Sequence, residues 1–116
     1  MREMNEYSKI KEVAIRSPLQ GFVSEEKLSR EWEPLRFHAK PHLEKAIVEF
    51  NYFRNLLLEE EIEIVDLPSS DLLTIDSIYT RDSILISKAG LILCNMGRES
   101  RTPEATENYK TLAKKG

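Results

Sequence analysis

Two clusters of charged residues stand on either side of an apolar stretch in this 116-residue chain. Asp76, Tyr79, Arg81 and Asp82 precede it, and Gly97-Arg98-Glu99-Ser100-Arg101 follow it. Carboxylates and guanidinium groups recognise each other through paired, planar hydrogen bonds, so either cluster could receive a ligand of the opposite charge. A simpler outcome is mutual satisfaction, with Asp82 pairing with Arg81 or Arg101 at the rim of a sheet. Tyr79 suits a pocket wall, although an aromatic near a strand more often just packs.

Whether the clusters meet depends on what lies between them. Residues 84–86 and 91–96 are short apolar runs rich in β-branched side chains, separated by Ser87-Lys88-Ala89-Gly90. That pattern predicts a β-hairpin whose turn ends on the residue that most easily takes positive φ. A hairpin brings its outer ends together, so Asp82 and Arg101 should flank one small charged pocket, with the rest of the chain supporting the hairpin.

The supporting elements follow from periodicity. The first ten residues are polar and read as a lead-in. Residues 12–16, EVAIR, form a strand candidate that stops at Ser17-Pro18. Residues 19–40 are polar and irregular; Ser24 could cap a short helix, and Pro34 interrupts a longer one. Leu43, Ala46, Ile47, Phe50, Phe53 and Leu57 share one helical face, which predicts a helix over 41–58 with Pro41 in its first turn. Residues 62–67 read as a strand ended by Pro68. Thr102-Pro103-Glu104 combines a capping hydroxyl, an N1 proline and an acid against the positive helix end. The helix it starts has a thin apolar face of Ala105, Tyr109, Leu112 and Ala113.

The totals narrow the function classes. Hydrophobic residues make up 41% and charged residues 32%, with 17 basic and 20 acidic side chains and a net charge of −3. That is the composition of one globular domain with a modest core. No basic block tracks a phosphate backbone, which argues against nucleic acid. No apolar run approaches the roughly 20 residues that cross a bilayer, and the start lacks the apolar core of a secretory signal. The single cysteine, Cys94, excludes an internal disulfide and fits a reducing cytoplasm. With only His38 and His42 beside it, a structural zinc site is not expected. Cys94 lies in the apolar run, where burial favours the unreactive thiol, so it reads as packing. The two histidines read as solvated groups near a helix start, and Glu59-Glu60-Glu61 as a solvated face.

The segment IVDLPSS…DSIYTRDSILISKAGLILCNMGRESRTPE resembles the N-terminal part of the guanidino-group-modifying enzymes. These are the arginine deiminases, dimethylarginine dimethylaminohydrolases and arginine:glycine amidinotransferases. The matching residues are Leu67-Pro68, Asp76, Tyr79, Thr80-Arg81-Asp82, the hairpin, and Ser100-Arg101 leading to Glu104; upstream, EVAIRSP is similar to the family's first strand. The resemblance covers about residues 12–110. It implies an α/β fold, a partial pentein-like propeller of about two ββαβ blades, over about 12–68 and 76–116. It also implies that Asp82 binds the substrate guanidinium, that Asp76 lies close by in the substrate pocket, and that Arg101 holds a substrate carboxylate. Arg81 agrees with the deiminase and amidinotransferase branches and departs from the dimethylarginine hydrolases, which carry an acid there.

By the same resemblance, the reaction proceeds through a covalent adduct on a late cysteine, with a histidine as acid and base, and neither matches a residue here. The chain is therefore expected to bind an arginine-like molecule without cofactor or metal and to be inactive by itself. The alternative is a non-catalytic binding or regulatory module of the same fold. Either way, open strand edges and apolar helix faces predict self-association or pairing with a complementary C-terminal part.

Overall fold

A computed structural model describes residues 8–114, so most of the lead-in over residues 1–10 lies outside the described residues. The chain forms a small mixed α/β domain with four helices and two two-stranded sheets. Strand β1 (Glu12–Ile15) pairs in parallel with β2 (Glu63–Asp66), Val13 opposite Ile64 and Ala14 opposite Val65. Strands β3 (Ile84–Ser87) and β4 (Gly90–Leu93) form the antiparallel hairpin, with Leu85 opposite Ile92. The four strands do not join into one sheet, and no propeller is formed among the described residues.

Between β1 and β2 run helices α1 (Pro18–Gly21), α2 (Glu25–Glu31) and α3 (Leu43–Glu59). Pro18 occupies the first turn of α1, where a missing N–H does no harm. Gly21 ends that turn because a Cβ there would collide with Ile78 Cγ2. Ser24 caps α2, its hydroxyl accepting from the Lys27 N–H at 3.1 Å. The long helix starts later than its sequence suggests: His42 is the flanking residue and Pro41 lies outside. The Leu43 N–H instead finds Glu25 Oε1 at 3.4 Å, a tertiary partner invisible to local pattern.

The core is centred on Phe22, Leu28 and Ile75, with Trp32, Leu35, Phe37, Leu43, Ala46 and Ile78 packed against them. The supposedly irregular stretch after α2 thus supplies three of the packing side chains. The hairpin has the opposite fate. Leu85, Ile86, Ile92 and Leu93 are all about half exposed, while α4 (Pro103–Ala113) packs against both strands. The expectation that the hairpin organises the chain is therefore corrected: the organising segment is the pair of 3₁₀ turns before it, Ile75–Ile78 and Thr80–Asp82. Ile75, Asp76 and Ser77 are all buried there.

Those turns are held by Arg16, a residue read only as the end of a strand. Its guanidinium is buried and donates to Pro68 O and Ser77 O, both at 3.0 Å, and to Asn108 Oδ1 at 2.6 Å. Asn108 in turn donates to Ser83 Oγ at 2.8 Å, and Ser83 to Thr80 O at 3.2 Å. One polar chain therefore ties β1, the loop after β2, the 3₁₀ turns and α4 together. It also turns the expected face of α4: Ala105 is buried as its spacing suggests, but Glu104 and Asn108 point inward beside it, whereas Tyr109 and Ala113 are exposed.

Candidate functional site

The hairpin brings the charged clusters together. Its base is closed by the Cys94 N–H donating to Ser83 O at 2.9 Å, which carries Arg101 back beside the 3₁₀ turns. Arg101 Nη1 donates to Asp82 Oδ2 at 3.0 Å, so the two side chains meet as the hairpin geometry implies. Arg101 is nevertheless committed elsewhere. Nε and Nη2 form a fork on the two oxygens of Glu104 at 2.7 and 2.8 Å, and Nη2 also reaches Tyr79 O at 3.1 Å and Asp76 O at 3.3 Å.

Glu104 was expected merely to complement the helix end; its side chain is 1% exposed and is the principal partner of Arg101. Thr102, the expected cap, has helical dihedrals and donates to Glu99 O at 2.9 Å, so it leaves the helix N–H groups alone. The fork from Glu104, helped by Asp82, holds the Arg101 guanidinium well above the usual arginine range despite its burial. With Nε, both Nη2 hydrogens and one Nη1 hydrogen engaged, a single N–H is left for any ligand.

Asp76 is the contrasting case. Its side chain is 8% exposed, and Oδ2 is buried without a hydrogen-bond donor among the described residues. Arg98 Nη1 comes within 3.6 Å, an ion-pair distance too long for a hydrogen bond, because it already donates to Leu35 O at 2.8 Å. Burial pushes the Asp76 carboxyl up from its ordinary range, and the nearby positive charges of Arg101 and Arg98 only partly offset it.

Asp76 lies on the wall of a cleft of about 540 Å³. Tyr79, Arg98 and Arg101 line it from the hairpin side, and Phe37 and His38 from the loop between α2 and α3. Of the residues singled out from the sequence, Asp76, Tyr79 and Arg101 therefore share one cavity. Asp82, 54% exposed at its side chain, flanks the cavity behind Arg101 and is not part of its wall. Arg81 is exposed and also outside the wall.

Arg98 stood in the second charged cluster without a role of its own, and the Phe37-His38 corner is the contribution that sequence reasoning missed. The apolar residues Trp32, Leu35 and Phe37 around Pro34 were the available signal that this loop packs. Cys94 is half buried, with Sγ 3.8 Å from Ile92 O, and does not line the cleft. No group of three or more His, Cys, Asp or Glu side chains suited to a metal ion occurs among the described residues. No described helix is long and apolar enough to cross a membrane.

Compared with protein-family models, curated proteins and solved structures, the chain matches none.

Proposed function

We propose that this chain is the N-terminal, substrate-binding portion of an arginine-processing hydrolase or amidinotransferase, and that its cleft receives the guanidinium of an arginine-like small molecule. The observation that carries the reading is Asp76 Oδ2, a buried carboxylate oxygen on a cavity wall with no hydrogen-bond donor among the described residues. Leaving such an atom unpaired destabilises a fold, and a ligand N–H would remove the penalty. A guanidinium supplies paired donors and a flat face that Tyr79 can cover. The carboxylate end of the same ligand would find Arg98, which is half exposed, and the remaining Nη1 hydrogen of Arg101.

The reaction itself needs groups from further chain. A cysteine thiolate attacks the guanidinium carbon, an amine or ammonia departs with a proton from a histidine, and water or a second amine resolves the thiouronium adduct. On this reading the two small sheets are the starts of propeller blades, 12–68 and 76–116, that additional strands would complete. Their open edges are consistent with that. The second reading, a non-catalytic binding or regulatory module, is favoured by one feature: Asp82 and Glu104 already satisfy most of Arg101.

Calorimetric titration of the chain with arginine and with citrulline, its uncharged counterpart, tests the site. Arginine is expected to bind weakly, with a Kd on the order of 1 mM because one wall of the pocket is absent, and citrulline not at all. Asp76→Asn should abolish the arginine signal. Absent or Asp76-independent binding overturns the site assignment, and turnover of arginine by the chain alone overturns the reading of it as an incomplete enzyme. A reading frame that continues past Gly116 to a histidine and a late cysteine selects the enzyme over the module, and a stop codon selects the module.

A further inference from the structure

The outer face of α3 carries a pattern that the cleft does not explain. Leu43, Ala46, Ile47, Phe50, Arg54 and Leu57 are the half-buried side of this helix, and Leu43 and Ala46 pack on the core. The opposite side holds Lys45, Val48, Tyr52, Leu56 and Glu59, all exposed and confined to an arc of roughly 100°. Val48 is 68% and Tyr52 70% exposed, and they form with Leu56 an apolar stripe at i, i+4 and i+8. Isolated exposed apolar residues are ordinary on a protein surface, but a continuous helical stripe of them calls for a partner.

The order of residue types along the stripe identifies the partner. It runs cation, apolar, aromatic, apolar, anion, and it is symmetric about Tyr52. Turned end for end, the helix places Lys45 opposite Glu59, Val48 opposite Leu56, Tyr52 opposite Tyr52, and Glu49 opposite Asn55. The same register sets Glu44 level with Glu60, but these acids lie on opposite flanks, about 80° either side of Tyr52, and no like charges face each other along the stripe itself. An isologous interface requires just this self-complementarity, because each contact must occur twice about the dyad.

We propose that α3 pairs antiparallel with α3 of a second copy of this chain, with Tyr52 on the two-fold axis. The two tyrosine rings pack offset at the centre, Val48 and Leu56 close over them, and a Lys45–Glu59 ion pair seals each end. The arrangement is independent of the cleft reading, since the residues that line the cleft lie on other elements.

Sedimentation of the full chain tests the pairing. The wild type is expected to be a concentration-dependent dimer, and Tyr52→Glu a monomer with unchanged circular dichroism. Lys45→Glu alone and Glu59→Lys alone each set two like-charge pairs per dimer and should weaken it about tenfold. The double reversal, Lys45→Glu with Glu59→Lys, restores opposite charges and should recover the wild-type Kd. A monomeric wild type overturns the proposal. So does a dimer insensitive to Tyr52→Glu, which would point to the exposed hairpin, or a double variant no tighter than the singles, which would exclude the antiparallel register.

Discussion

Asp76 and Arg101 sit on one cleft under opposite conditions. Arg101 is neutralised by Glu104 and Asp82, which fixes the path of the chain after the hairpin. Asp76 is buried with far less compensation, and that difference makes it the residue to test. Its folded pKa lies above the unfolded value, about 3.9, so the folded state holds the proton more tightly. The stability linked to this carboxyl is therefore fully present below the unfolded pKa and is lost as pH rises through the folded pKa. Asp76→Asn should melt a few degrees above the wild type at pH 7 and show no advantage near pH 3, in thermal denaturation followed by circular dichroism. The same variant is expected to lose arginine binding. A gain in stability with a loss of binding is the usual mark of a functional group held at some cost to the fold.

Among the elements, α3 shows how a helix can stop without a stop signal. Its C-terminus is a Schellman motif: the Ile62 N–H donates to Leu57 O at 3.1 Å, and the Glu61 N–H to Leu58 O at 3.0 Å. The motif requires a left-handed residue, and Glu61 takes it with φ at 59°. Three consecutive acids also crowd the negative end of the helix dipole. The run is solvated, as its composition suggests, and it also serves as a strained cap. Glu61→Gly removes both the side-chain clash and one charge and should stabilise the protein by about 1 kcal/mol, read as a higher urea midpoint at constant slope. Gly90, by contrast, already fills its own positive φ of 137° just after the two-residue turn of the hairpin.

For the whole molecule, the Arg16 network does what a larger apolar core would otherwise do. Seven hydrophobic side chains are buried among the described residues, alongside Arg16, Asp76, Ser77, Ser83, Glu104 and Asn108. Burial lowers the Arg16 pKa from its ordinary value, and the fields of Glu104 and Glu107 oppose that shift. Arg16→Met keeps the volume of the stem but strands Pro68 O, Ser77 O and Asn108 Oδ1 without their donor. The expected loss is about 3–5 kcal/mol in urea denaturation, enough to unfold much of a domain this size. Arg16→Lys should recover only part of it, because an ammonium cannot span three acceptors held in the plane of a fork.

Local chemistry was legible in the residue order. The hairpin, the Ser24 cap, Pro103 in the first turn of α4 and the inward stripe of α3, except Phe53, which is exposed, follow from turn residues and spacing. Each depends on neighbours a few positions apart, and so does the return of Arg101 to the vicinity of Asp82. What local order could not decide was which charges neutralise which. Arg16 and Asn108 are 92 positions apart, Arg98 reaches Leu35 across 63, and these pairs settle which face of α4 turns inward and why Asp76 Oδ2 has no hydrogen bond among the described residues. Desolvation is a property of the assembled environment, so the penalty on a carboxylate exists only once the chain has folded around it.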